Sequence, residues 1–512
     1  MEEDVGTVAK RYSQLEGERD TFLERGREAA KLTIPTLMPE EGHSSSSTYA
    51  TPYQGIGARG VNNLASKLLL ALLPPNSPFF RLTIDDFDLQ EIAGENRGQV
   101  EEGLARIERA AMSEIEAKAI RVPTFEALKL LIVTGNALVY LPKEGGMKVF
   151  RPDRYVTKRD TMGNLLEVIT KESLDALMLP DSIKESVPYS ESPKKSYDLY
   201  TCVKRNENGF RVHQEVMGIL VPESEGTFKK DNNPFIPLRF IRIDGEDYGR
   251  GFIEEYLGDL RSLEALTQAI VQGSAASAKV LFLVRPNGTT KSVNLAKAPN
   301  GAFLTGDAND VSTLQVQKAS DFRVALETMR MINDRLSAAF LLNSSVQRSA
   351  ERVTAEEVRF MAQELETALG GVYSILSQEF QLPLINILLE SLVKQGKMPR
   401  LPKESIRPTV VTGIEALGRG QDLNKLATFL QYLQPLGQEV IASELNISDY
   451  IDRLAASLGI DTSGLIKSIE QKQQEQMQAQ QMQQQQMLEQ TAAGMAQGAA
   501  PQLAKGAVES EG

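Results

Sequence analysis

Two long stretches of this chain place apolar residues at steps of three and four. In the first, YGRGFIEEYLGDLRSLEALTQAIVQGSAASAKV from Tyr248, the residues Phe252, Tyr256, Leu260, Leu263, Leu266 and Ile270 draw one stripe along a helix whose opposite face is polar. The second, from Asp321, repeats the spacing through Phe322, Leu326, Met329, Ile332, Leu336 and Phe340. At a rise of about 1.5 Å per residue each predicted helix reaches roughly 30 to 45 Å. The segment between them, LFLVRPNGTTKSVNLAKAPNGAFLTGDANDVSTLQV, mixes short β-like runs with Gly, Pro and Asn turns. Two helices flanking such an insert should return antiparallel, with the insert projecting at one end.

Elsewhere the pattern predicts mainly helix with an α+β part. A polar helix is expected from Asp4 to Leu32, then a solvated loop rich in Ser, Gly and Pro from Gly42, and a second helix from about Gly57. Helical spacing returns at Gln99–Ala119 and Thr124–Val133, after which ALVYLP, MKVFRP, RYVTKRD and NLLEVITKE read as short strands. Between Ser173 and Asn233 the chain is charged and broken by prolines, and YDLYTCV and FRVHQEV predict strands of a peripheral, partly solvent-facing sheet. Beyond the loop NSSVQRSAER, Thr354 and Glu357 form the S/T-x-x-E capping box of a helix that runs to about Leu369, where Gly370 and Gly371 allow a break. A helical pattern then carries Ile375, Leu376 and Phe380 up to Pro383, and LINILLESLVKQG ends on a Gly. Further helices are expected at Asp422–Leu433 and Ile447–Leu458. The Gln-rich tract from Gln471 lacks the apolar residues needed to offset ordering and reads as disordered or a frayed helix.

Composition narrows the function classes. The 512 residues carry a formal charge of −12. That balance argues against gripping DNA with the whole surface, because such binding rests on Lys and Arg displacing phosphate counterions. With only His43 and His213 and no Trp, multi-histidine metal sites and most His-based triads are unavailable. The lone Cys202 excludes an intramolecular disulfide, and with nothing resembling a secretory signal the expectation is folding in a reducing cytoplasm. LASKLLLALLPP from Leu64 is too short and too interrupted to span a membrane, so no span is expected.

Candidate chemistry is sparse. GIGARG, Gly55 to Gly60, matches the dinucleotide fingerprint, but a Ser-rich loop and Pro52 stand where a buried strand must be, which favours a tight turn and close helix packing. No P-loop occurs, so any motor must be another protein. The acidic clusters Asp85, Asp86, Asp88 and Glu254, Glu255, Asp259 read as solvated surface rather than cation sites. Cys202, lacking a partner His or a CxxC, reads as a small buried apolar residue. Arg348, Glu351 and Arg352 stand among small polar residues between helices; repeated around a ring, such arginines could touch phosphates at many individually weak points.

A series of blocks in fixed order carries a resemblance: TPYQGIGARGVNNLASKLLLALLPP from Thr51, FEALKLLIVTGNALVYLP from Phe125, DGEDYGRGFIEEYLGDLRSLEALTQAIV from Asp244, SSVQRSAERVTAEEVRF from Ser344, GGVYSILSQEFQLPLI from Gly370 and EALGRGQDL from Glu415. Together they resemble the head-to-tail connector, or portal, proteins of autographivirus-type short-tailed bacteriophages. The resemblance implies a portal fold of wing, stem, clip and crown, twelve copies of which form a ring with an axial channel at one capsid vertex. On it, residues 1–248 map to an α+β wing, 249–280 to the first stem helix, 281–320 to the clip and 321–342 to the second stem helix. Residues 343–353, with Arg348, Glu351 and Arg352, map to the tunnel loop, 354–420 to wing helices, 421–470 to the crown and 471–512 to a disordered tail. It further implies a virion protein, assembled in the host cytoplasm, that is neither an enzyme nor a cofactor binder. Its implied partners are major capsid and scaffolding proteins, a terminase packaging motor, tail adaptor or nozzle proteins, internal core proteins and double-stranded DNA passing without sequence specificity. The alternative is a non-conducting capsid or tail scaffold.

Overall fold

A computed structural model describes residues 8–43, 46–75, 78–83, 97–175, 178–179, 181–184, 196–277, 281–314, 319–342, 355–397, 409–412 and 419–437, with scattered residues beyond. The chain divides into two units, Met1–Gln421 and Asp422–Gly512. In the first, the helices are α1 (Val8–Lys31), α2 (Ile56–Leu72), α3 (Arg97–Ala117), α4 (Arg121–Thr134), α5 (Asp181–Lys184), α6 (Phe252–Glu255), α7 (Leu257–Ser277), α8 (Ser292–Lys297), α9 (Ala319–Ala339), α10 (Ala355–Ala368), α11 (Val372–Leu376) and α12 (Leu382–Lys394). The helix α13 (Arg419–Leu433) runs into the second unit, where the Tyr450 hydroxyl donates to the Leu426 carbonyl at 3.2 Å.

The core forms around α2. Its apolar residues recur at helical spacing, and Leu64, Leu68 and Leu72 are fully buried against Leu131 of α4, Leu365 of α10 and Phe340 beyond the end of α9. The GIGARG stretch opens this helix, and its glycines serve packing. A Cβ on Gly57 would lie 2.5 Å from the Leu32 carbonyl oxygen, and one on Gly60 would lie 2.4 Å from the Phe340 ring. Distant side chains satisfy carbonyls that helix ends leave open. Gln381 donates to the Leu72 carbonyl at 2.7 Å, Tyr373 to that of Ala71 at 3.3 Å, and Asn63 to those of Phe340 and Leu341 at 2.9 and 3.1 Å.

Strands β2 (Asn136–Tyr140), β3 (Lys148–Phe150) and β10 (Phe235–Arg239) form a three-stranded sheet with β2 in the middle. A six-stranded antiparallel sheet takes the order β4 (Tyr155–Arg159), β5 (Leu165–Asp175), β6 (Ser196–Asn206), β7 (Gly209–Val216), β8 (Ile219–Leu220), with β9 (Gly226–Lys229) also pairing with β7. On one of its faces Val8, Tyr12 and Leu15 of α1 cover Val156, Ile169 and Cys202. Arg19 of α1 is buried and donates to the carbonyls of Pro152 and Tyr155 at 3.2 and 2.8 Å. The segment expected to form a peripheral, partly solvent-facing sheet supplies the inner strands β6 and β7, where the successive residues Cys202 and Val203 are covered on opposite faces, while β8, β9 and the ends of β6 stay partly exposed. A short pair, β1 (Arg81–Thr83) with β13 (Thr409–Val411), joins distant parts of the chain.

Two helix boundaries differ from expectation. The helix predicted from Tyr248 is interrupted at Tyr256 (φ −112°, ψ 9°), whose ring packs against those of Phe252 and Phe340, so the apolar stripe stays against the core across the break. Pro383 does not end a helix. A π turn at Ser377–Gln381 leads directly into α12, where Pro383 occupies the first turn and needs no amide donor. The break at Gly370 and Gly371 is present, with φ of 61° and 89°. Residues Asp4, Thr354, Asp85, Asp86 and Asp88, most of Ile447–Leu458 and nearly all of the Gln-rich tail lie outside the described residues.

Replacing Gly60 with Ala should force Phe340 off α2 and cost about 1–3 kcal/mol, the usual penalty for overfilling a packed core. A thermal melt of G60A against the parent chain checks this; an unchanged midpoint would contradict the packing.

Candidate functional site

The two striped helices pair antiparallel. Asp259 near the start of α7 pairs with Arg335 near the end of α9, while Gly273 near the end of α7 faces Phe322 near the start of α9. A Cβ on Gly273 would lie 2.6 Å from the Phe322 ring, so the glycine is the notch that lets the helices approach. Burial is graded along the pair. Leu260, Leu263, Ile332 and Leu336 lie in the core, whereas Val271, Val324 and Leu326 towards the other end are exposed. The pair therefore leaves the body of the first unit and carries its insert outwards. Inside the body, Glu264 of α7 accepts from the backbone amides of Tyr53 and Gln54 at 2.9 and 3.1 Å, tying the loop before α2 to the helix.

The insert is a β-hairpin of β11 (Leu281–Val284) and β12 (Val311–Leu314) with α8 between its strands. A polar lock holds its turns. The Asp310 carboxylate accepts from the Thr290 amide and the Thr289 hydroxyl, both at 3.2 Å, and these hydrogen bonds hold its pKa below the ordinary carboxylate value. Around this lock the surface is apolar: Phe282 and Phe303 are 61% and 105% exposed, and Leu283, Val293 and Leu304 are exposed as well.

The acidic excess of the chain is not concentrated on these elements. The two helices, 257–277 and 319–339, hold five acidic residues and four basic ones, a balance of −1, and residues 281–320 hold four basic and two acidic, a balance of +2. The remainder of the −12 lies elsewhere in the chain.

Arg348, Glu351 and Arg352 lie outside the described residues. The described residues on either side of them are Leu342, just after the Phe340 contact, and Ala355, which opens α10. Of the acidic residues read as solvated, Glu254 instead accepts from the Gly251 amide at 3.3 Å as a helix cap, and Asp259 pairs with Arg335. Cys202 is buried, as read, but His213 stands directly across from it in the β6–β7 register, with its Nε2 3.6 Å from buried Glu215. Sequence reasoning missed that juxtaposition because pairing register is a property of the folded sheet. It also passed over Gly273 and Asn63, although a Gly inside a helical pattern is a recognised signal of close approach.

An open cleft of about 940 Å³ runs along α1, and its charges compensate one another: Arg19 pairs with Glu16 at 3.0 Å, Arg27 with Glu41 at 3.1 Å and Lys31 with Glu40 at 2.6 Å. Among the described residues there is no group of acidic, His and Cys side chains placed to hold a metal ion, and no helix is long and apolar enough to cross a membrane.

Residues 5–466 match the family model of the bacteriophage head to tail connecting protein. This chain belongs to that family. The connector is 46% identical over 475 residues to the portal protein of Escherichia phage T7, covering 90% of this chain and 88% of that one. It is 33% identical over 477 residues to the portal protein of Enterobacteria phage SP6, with 91% of each covered. Against the portal protein of Pseudomonas phage phiKMV it is 31% identical over 481 residues, covering 91% of this chain and 93% of that one. A solved chain from the neck of a native GTA particle computed with C12 symmetry aligns at a TM-score of 0.30 and 12% identity, over 73% of this chain and 85% of that one. The family is named for a structural connection in a phage particle and not for a reaction.

The Asp310 lock of the connector has a defined pH response. A carboxyl with a lowered folded pKa contributes stability that is present above its unfolded value of about 3.9 and is lost as pH falls through the folded value. Hydrogen exchange at the Thr290 amide, normalised to its intrinsic rate, should stay protected at neutral pH and lose protection below about pH 4. Protection that persists at the most acidic pH would show that other contacts hold the turn.

Proposed function

We propose that this connector closes into a dodecameric ring at one capsid vertex and conducts double-stranded DNA passively during packaging and ejection. The observation that carries the reading is the antiparallel pair α7/α9, which leaves the core and ends in an insert exposing Phe282 and Phe303. A lone copy gains nothing from displaying these side chains. A heterologous contact repeated by rotation would cover such surfaces while leaving an axial hole, and the membership in the connector family supports the same arrangement.

In this reading residues 1–248 and 354–420 form the wing, 249–280 and 321–342 the stem, 281–320 the clip and 421–470 the crown facing the capsid interior, with 471–512 as a tail. The clip docks the terminase motor during packaging and tail adaptor or nozzle proteins afterwards, while the wing and crown meet capsid, scaffolding and internal core proteins. The ring is assembled in the host cytoplasm and resides at the head–tail junction.

Charge supports sliding rather than gripping. Twelve copies at −12 carry roughly −144, against about one phosphate charge per 1.7 Å of duplex, so the assembly as a whole repels DNA. With the stem near neutrality and the clip slightly basic, the reading assigns the guiding contacts to the tunnel loop, where Arg348 or Arg352, set beside Glu351, touches phosphate or narrows the channel after packaging.

Cryo-electron microscopy of the purified chain should show a twelvefold ring with a duplex-wide opening; an imperforate particle would favour the scaffold alternative. Replacing Arg348 and Arg352 together with Ala should leave ring formation intact and reduce retention of packaged DNA. Unchanged packaging and retention would remove the role of these arginines.

A further inference from the structure

Three arginines converge beside the turn Asp160–Asn164, and one carboxylate pairs directly with their guanidinium groups. Arg239, at the end of β10, is almost fully buried and pairs with Glu379 at 2.7 Å, and its Nε has no hydrogen-bond partner. Arg159, at the end of β4, is spent on carbonyls: it donates to those of Pro237, Gly163 and Asp247 at 2.8, 3.0 and 3.2 Å. Burial, followed by the charge of Arg239 and then by that of Arg242, pushes the Arg159 guanidinium down to about 10. Arg242 forms the open edge. It is 41% exposed, comes no closer than 3.7 Å to Glu379, and makes no hydrogen bond to any described residue. The nearby Asp247 is already engaged, accepting from the Arg159 amide at 2.6 Å and from Lys158 at 3.0 Å.

The cluster is rigidly mounted. Glu379 sits in the π turn Ser377–Gln381, an interruption of helical geometry that recurs at functional positions. Gly163, with φ of 82°, brings its turn so close that a Cβ there would lie 3.0 Å from an Arg242 nitrogen. Beside these residues in the chain, Met162 and Ile243 are 77% and 41% exposed. A cation held by a buried framework and rimmed by exposed apolar side chains has the composition of a protein-contact hot spot, where a small inorganic ion would leave the apolar rim unused.

We propose that Arg242, backed by Arg239 and Arg159 and rimmed by Met162 and Ile243, docks a surface carboxylate of an adjacent copy of this chain. The inference rests on the ring reading above. A rotational contact joins two different patches of the same surface, so a cationic patch needs an acidic counterpart, and a chain with 68 acidic against 56 basic residues offers many.

The test compares assembly of the full chain and its R242E and R242K variants by mass photometry across protein concentration, with circular dichroism to establish folding. R242E should fold normally yet need about tenfold more protein to assemble, since reversing one member of a close interfacial charge pair turns attraction into repulsion. R242K, which keeps the charge, should fall between the two. Assembly of R242E at the parent's concentration would overturn this docking site while leaving the ring reading intact. A parent chain that stays monomeric at every concentration would overturn the ring reading and this site with it. A parallel arm uses inorganic phosphate: a phosphate-dependent rise in melting temperature that R242E lacks, with assembly unaffected, would reassign the cluster to a free anion and overturn the neighbour's carboxylate.

Discussion

The seat of Phe340 on Gly60 is the contact on which the rest of the structure depends. Nothing larger than a hydrogen on Gly60 leaves room for the ring, and the neighbouring Asn63 holds the carbonyls at which the helix from Ala319 ends. One turn of α2 thus both packs against and caps α9. Because interiors are packed as tightly as organic crystals, that junction sets the direction in which the helix leaves the core. Its antiparallel partner α7 follows, since Tyr256 packs on the same Phe340 ring. The exposed hairpin at the far end is therefore positioned by a contact several turns away.

This arrangement separates what must be stiff from what must meet other molecules. The body around α2 buries continuous apolar surface, and its polar groups are paired over long sequence distances, as with Gln381 on Leu72 and Glu264 on the amides before α2. The projecting half of the helical pair keeps a seam of its own through Gly273 and Phe322 but shows apolar side chains to solvent. Such surface is costly in a single chain and is stabilising once a second copy covers it. In the proposed ring, association and conduction would be one physical problem, because the faces that close it also define the hole.

Electrostatics follows the same division. The cleft along α1 is internally paired, whereas the arginines around Glu379 exceed the carboxylate that pairs with them. A strongly acidic chain can afford few such places, and where one occurs on a rigid frame it offers orientation to a neighbour. The near-neutral stem and basic insert show that net charge describes a chain, not any one surface of it.

The two long stripes, the strands from ALVYLP to NLLEVITKE and the break at Gly370 and Gly371 were legible in the sequence, because periodicity and turn chemistry are local properties. The family was legible as well, carried by an ordered series of blocks and matched over residues 5–466. Tyr256 and Pro383 were misread because core packing overrode local pattern at the first, and a π turn admitted the proline into a first helical turn at the second. Which glycines are packing notches, which strand covers which, that His213 faces Cys202 and that Arg159, Arg239 and Arg242 share one site were decided only by tertiary structure. These pairings join residues up to 330 positions apart, as Arg81 and Val411 are. Local preference holds no information about such distances; the closing of one buried core supplies it.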